Sequence, residues 1–204
     1  PDMYDTGYSG NFGMGPFDLM DYGAYNNDGY QPCGYTAYER MISGWIDPIE
    51  VRKGAELSVT GMKALTEGGE AYKLINSGNE DEYFLVENRQ FSGWDESLPQ
   101  GGVLITHVDF DQTVWDYNMV NTTGYDSDLQ FTNPHQRMTI FHADNDDDSK
   151  YYSKTQQGYT KTTYLGDPYP YKGNDSLTNL SRPSNAIYTK NSDGKKYMDV
   201  AIRN

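Results

Sequence analysis

The spacing of apolar residues changes character twice along this chain of 204 residues. Residues 1–32, PDMYDTGYSGNFGMGPFDLMDYGAYNNDGYQP, show almost no periodicity and are dense in Gly, Asn, Asp and Tyr. Such a composition predicts turns, several with positive φ, and a stretch this long in a compact domain carries function or wraps a site. Over 34–44, GYTAYERMISG, the residues Tyr35, Tyr38, Met41 and Ile42 recur at helical spacing, and Gly44 stands where a C-terminal glycine cap belongs. Thr36 and Glu39 have the spacing of a capping box, which would start the helix one turn late. From about residue 50, β-branched and aromatic runs bounded by Gly, Asn, Asp or Pro predict strands at 56–60, 70–76, 82–88, 102–110, 137–143, 185–190 and 196–204. The run from Val103 to Phe110 is nearly continuous, as expected of a strand buried on both faces. Residues 126–136 and 166–185 read as loops, and no repeat of fixed period is present. The expected fold is therefore α+β and mainly β. A long N-terminal loop segment and one short helix at about 34–44 precede a β-rich, sandwich-like body, with 1–49 and 50–204 as two subdomains packed together.

Composition changes this picture in one respect. Hydrophobic content is only 36% and mean hydropathy is -0.83, yet 19 Tyr, 7 Phe and 3 Trp supply enough apolar area for an aromatic core. Charge is lopsided, 16 basic against 30 acidic residues, net -14. That field disfavours nucleic acid and anionic lipid as partners, whereas clustered carboxylates suit calcium or simply a solvated surface. Cys33 is the single cysteine, so no intramolecular disulfide forms. No apolar run reaches the roughly 18 residues of a membrane span. The sequence opens on Pro1 without a visible targeting signal, which leaves its destination open.

Candidate chemistry lies at the start. Metzincin-type zinc peptidases carry H-E-x-x-H-x-x-G-x-x-H, two histidines one helical turn apart and a third ligand beyond the glycine, followed later by a methionine turn. Pro1-Asp2-Met3-Tyr4-Asp5-Thr6 resembles the end of the H-E-x-x-H-x-x-G-L-P-D-x-Y-D-T stretch of the M6 (immune inhibitor A-like) peptidase family. Asp18-Leu19-Met20-Asp21 is similar to that family's methionine turn, and Ala37-Tyr38-Glu39-Arg40 with Ser43-Gly44-Trp45 to its A-(Y/W)-E-(K/R)…L-G-W segment. Tyr83–Gln90, Gly93-Trp94-Asp95, Leu98-Pro99 and Val103–Asp109 resemble its Y-L-(I/V)-E-N-R-Q, G-W-D, L-P-G and G-L-L-I-W-H-V-D run. The matches occupy residues 1–110, in order, and thin out after about 170.

The resemblance implies that residues 1–49 are the later part of a metzincin-like catalytic subdomain. Asp2 becomes the third zinc ligand, with Asp5 as the alternative if the register shifts. Met20 becomes the floor beneath the metal, and Tyr22 a hydrogen-bond donor to the developing oxyanion. The H-E-x-x-H core is absent from this chain and is expected upstream of Pro1, so these residues alone should be inactive. The parent would be a secreted or cell-surface, bacterial-type zinc endopeptidase acting on protein or peptide substrates.

His107 and Asp109 share a strand face and read as a buried, mutually satisfied polar pair in preference to a metal or acid–base site. His135 and His142 show no ligand spacing; Glu87 and Arg89 read as an ion pair or a supporting network. Asp144, Asp146 and Asp148 open like a calcium loop, but Ser149 and Thr155 replace its glycine and bidentate glutamate. A different calcium site sharing Asp167 or Asp175, or a solvated acidic loop, covers the same residues. Two further functions compete with the peptidase: a non-catalytic β-rich module binding carbohydrate or host protein through Tyr and Trp, and a degenerate peptidase relative kept for structure.

Overall fold

The computed structural model describes residues 1–7, 9–147 and 163–203. At its centre stands a five-stranded sheet in the order β1 (Ile49–Val51), β2 (Tyr72–Ile75), β3 (Glu82–Arg89), β4 (Gly102–Asp109), β7 (Met138–Ile140). β1 runs parallel to β2, and every other pairing is antiparallel. β3 and β4 form the longest ladder, from Glu82 opposite Asp109 to Arg89 opposite Gly102. As expected from its unbroken apolar run, β4 is buried from Leu104 to Asp109.

The two faces of the sheet bury different parts of the chain. Tyr83, Leu85, Leu104 and Val108 point into a core shared with Phe12, Met14, Phe17, Tyr38 and Trp115. Their strand neighbours Phe84, Val86 and Ile105 point the other way, onto Tyr169, Leu177, Ile187 and Met198. This alternation is the period-two rule of a strand, used here to bind the N-terminal segment to one face and the C-terminal segment to the other. The fold is mainly β with little helix. The layers that cover the sheet are irregular chain and short 3-10 turns, with two-stranded ribbons β5 (Gly124–Asp126)/β6 (Phe131–Asn133) and β8 (Ser176–Leu177)/β9 (Ile202–Arg203) beside them.

Helix α1 spans Ala37–Ile42, starting after Thr36 as the capping box requires. The Glu39 amide donates to the Thr36 hydroxyl at 3.2 Å, and the Glu39 carboxylate accepts the Thr36 amide at 2.8 Å. Its end is a Schellman turn, with Gly44 at φ 69, its amide on the Met41 carbonyl and the Trp45 amide on that of Arg40. The predicted stripe is only half used. Tyr38 is buried, whereas Tyr35 lies ahead of the helix and, like Ile42, is exposed. A second helix, α2 (Gln112–Asp116), is a single turn capped by Asp111, too short to leave a period in the sequence.

Three predicted strands need correction. Residues 56–60 are exposed and form none; 185–190 makes one isolated bridge, Ala186 to Tyr197; and of 196–204 the described residues keep that bridge and the strand Ile202–Arg203. Their β-branched composition is real, but without a neighbouring strand to pair with it specifies nothing. Conversely, β1 carries no clear alternation and exists because β2 supplies its ladder, and β5 and β6 pair only with each other across a turn in which Asp126 Oδ1 accepts the Asp128 and Leu129 amides.

Candidate functional site

The first seven residues are strapped to the chain that follows α2. The Asp2 amide donates to Asn118 Oδ1 at 2.6 Å, and Asn118 Nδ2 donates to Asp2 Oδ2 at 2.8 Å. Asn121 Nδ2 donates to the Met3 carbonyl at 2.6 Å, and the Thr6 and Thr122 hydroxyls meet at 2.8 Å. Asp5 is consumed by this strap. Its Oδ1 accepts Gly7 N–H and the Thr122 hydroxyl, and its Oδ2 accepts Gly10 N–H at 2.6 Å. Buried and bonded on both oxygens, Asp5 is a loop staple, which leaves Asp2 as the half-buried carboxylate of this segment.

The same segment lies on the turn around Met20. Met3 N–H donates to the Met20 carbonyl at 2.8 Å, and Met20 N–H donates to Asp18 Oδ1 at 2.8 Å. Asp21 Oδ2 accepts the amides of Met14 and Gly15, both at 2.8 Å; burial pushes its carboxyl up to about 7 against those donors, with Asp2 adding to the rise. Gly13, at φ 78, lets the backbone pass here, since a Cβ would stand 2.3 Å from the Met3 carbonyl oxygen and 2.7 Å from Asp21 Oδ2. The Met20 side chain is 44% exposed, so it faces outward instead of packing in the core. Tyr22, 47% exposed, leans on Tyr25 with ring centroids 5.7 Å apart. Tyr4 joins the patch, its phenol pushed up by burial first and then by Asp2. Beside Tyr22 and Tyr25 lies a depression of about 440 Å³, walled by Pro16, Asn26, Asp28, Glu96 and Pro99.

A buried ionic cluster supports the turn from below. Arg89, fully buried, donates to both oxygens of Asp95 at 2.7 and 2.6 Å, to the Phe17 carbonyl at 3.1 Å and to the Gly34 carbonyl at 2.9 Å. Glu87 lies 3.6 Å away; burial raises its carboxyl to about 7 and the guanidinium opposes the rise. Asp18 is held well above the usual carboxylate range, by burial and then by the charge of Glu39. Glu87 and Arg89 thus do form the ion pair that was one of the two readings of their same-face spacing.

The remaining sequence candidates sit elsewhere. His107 does not pair with Asp109: its Nε2 is 2.9 Å from Glu82, while Asp109 meets His135 and Arg137, both at 2.7 Å. The two side chains share a face, but their cross-strand and loop neighbours reach them first. Asp144 Oδ1 accepts Asp146 N–H at 2.9 Å, a local turn, and Asp148 lies outside the described residues. Asp167 is buried against His142 at 2.7 Å. Among the described residues no group of three or more His, Cys, Asp or Glu side chains is arranged to hold a metal ion. The residues that sequence reasoning passed over are Asn118 and Asn121. Their only signal is an amide-rich run, Asn118-Met119-Val120-Asn121-Thr122-Thr123, just after a capped turn of helix. No family model, curated protein or solved structure matches this chain.

Proposed function

We propose that this chain is the post-histidine part of a secreted zinc-dependent endopeptidase, with Asp2 as a zinc ligand and Tyr22 as the donor to the oxyanion. The observation that carries the reading is the Met3–Met20 backbone bond, which sets the candidate ligand segment directly on the candidate methionine turn. A half-buried aspartate with one oxygen held by an amide is a donor that zinc accepts beside two imidazoles. Zinc, when bound, supplies Lewis-acid activation of water and of the peptide carbonyl. The chain's own residues do the rest. Asp2 contributes negative charge to the metal shell, Tyr22 O–H donates to the carbonyl oxygen as charge develops on it, and the depression beside Tyr25 seats a substrate side chain. The histidines and the general base come from an upstream H-E-x-x-H ending six residues before Asp2.

The test uses the full-length protein: zinc content by elemental analysis and cleavage of casein before and after chelation. Stoichiometric zinc and chelator-sensitive cleavage are expected. Tyr22→Phe should lower kcat by about 100-fold or more, the usual cost of losing one oxyanion donor. An encoded upstream segment without H-E-x-x-H would sink the reading.

One observation favours a second function. Trp94 and Trp45 are 65% and 61% exposed, and Tyr35 meets Trp45 edge-on at 5.1 Å, the kind of aromatic platform that stacks on sugars. Zinc-independent binding on a glycan array, lost in Trp94→Ala, would establish a binding module in place of the peptidase.

A further inference from the structure

We infer that Asn118 is the positioning residue for Asp2, fixing that carboxylate for metal ligation; this rests on the peptidase reading above. Both polar atoms of the Asn118 side chain are spent on Asp2, one accepting its backbone N–H at 2.6 Å and one donating to its Oδ2 at 2.8 Å. The reciprocal pair fixes backbone and carboxylate at once, across 116 residues of sequence. A residue needed only to turn the chain would have no use for its side chain there.

The backbone of Asn118 is itself held. Its N–H bonds the Trp115 carbonyl at 3.1 Å, where α2 ends, and its carbonyl accepts the Thr6 hydroxyl at 3.3 Å. It stands at φ 55, a left-handed conformation that asparagine tolerates better than other side chains do. Trp115 and Val114, both buried, tie α2 to the sheet core, so the amide projects from a rigid support. Donation to Oδ2 engages that oxygen, so that Oδ1 would serve as the metal donor, with the Tyr4 phenol, which also bonds this carboxylate, giving way to the ion. A carboxylate split in this way, one oxygen on an outer-shell hydrogen bond and one on the ion, is held ready and loses little freedom on binding.

The experiment measures the zinc dissociation constant of the full-length protein by competition with a chromogenic chelator. Asn118→Gly is the variant of choice because glycine keeps the left-handed backbone without cost. We expect zinc to bind about 10–100-fold more weakly, the usual effect of losing an outer-shell partner. The melting temperature of the metal-free protein should fall by only about a few degrees, the cost of two part-buried hydrogen bonds. The same substitution made in an Asp2→Ala background should weaken zinc no further, since its effect runs through Asp2. Unchanged affinity in Asn118→Gly, or an equal loss with Asp2 already removed, overturns the assignment while leaving the peptidase reading standing. A wild-type protein that holds no zinc overturns the peptidase reading itself, and the role of Asn118 with it.

Discussion

Arg89 gathers more negative charge than one guanidinium balances, with Asp95 in a two-pronged pair, Glu87 at 3.6 Å, and the Asp18–Glu39 pair close behind. The excess is tolerable because burial raises the Glu87 carboxyl to about 7 and holds that of Asp18 well above the usual carboxylate range, which favours their neutral forms. Removing the cation strands the whole group. Arg89→Met should therefore cost about 3–5 kcal/mol, the usual penalty for a buried charge left without its partner, read as a lower urea midpoint. Arg89→Lys should recover little of it, since a single ammonium cannot span the Asp95 fork and the carbonyls of Phe17 and Gly34. In the sequence, Glu87 and Arg89 could be recognised as a pair by their spacing on one strand face. Asp95 and the two carbonyls could not, because only the folded chain brings residues 17, 34 and 95 around one side chain.

Helix α1 has six residues and survives through its ends. Isolated helices of that length do not persist in water, so the caps and the burial of Ala37 and Tyr38 supply what length does not. Thr36→Ala should destabilise the protein by about 1 kcal/mol, the usual loss of an N-cap. Gly44→Ala should cost about the same by forcing a Cβ into the left-handed region. Both appear as shifts in thermal midpoint, and the double substitution should be close to additive because the two ends share no partner. These caps were readable from sequence, as were β2, β3, β4 and β7, because local chemistry and hydrophobic period agree with the tertiary fold there. The C-terminal region was not readable: residues 185–190 and 196–203 look like strands by composition but serve as a covering layer. Tyr188 and Thr189 hang by their amides on the Glu82 carboxylate at 2.6 and 2.8 Å. The candidate site was half legible. Asp2, Met20 and Tyr22 came from motif resemblance, whereas the amides that strap them carry no spacing signature.

At the scale of the whole molecule, opposed groups set the dependence of stability on pH. Burial raises Asp21 and Glu87 to about 7 and raises Asp18 as well. The unfolded chain releases these protons from about pH 4 upward while the folded chain still binds them, so their contribution is lost as pH climbs toward 7. Glu82 and Asp109 behave in the opposite sense. Despite burial, Glu82 is lowered by His107 and by the amides of Tyr188 and Thr189, and Asp109 by His135 and Arg137. Their contribution is present above about pH 4 and fades as pH falls through their folded values. Maximum stability should therefore lie on the acid side of neutrality, measured as denaturant midpoints between about pH 3 and 8. Glu87→Gln should make the neutral limb shallower, Asp21 keeping part of its slope, and leave the acid limb unchanged. The strap between residues 2–11 and 118–123 has a further consequence, for the order of events in folding. Its bonds join residues 110 to 118 positions apart, whereas the β3–β4 hairpin closes over far fewer. Loop-closure entropy delays such distant contacts, so the sheet should form before the strap docks. In pulse-labelling exchange the Asp2 and Thr123 amides, which bond across the strap, should gain protection after those of β3 and β4. A nascent chain would then hold Asp2 apart from Asn118 until α2 had been made, and the candidate ligand would be set in place only once its scaffold was complete.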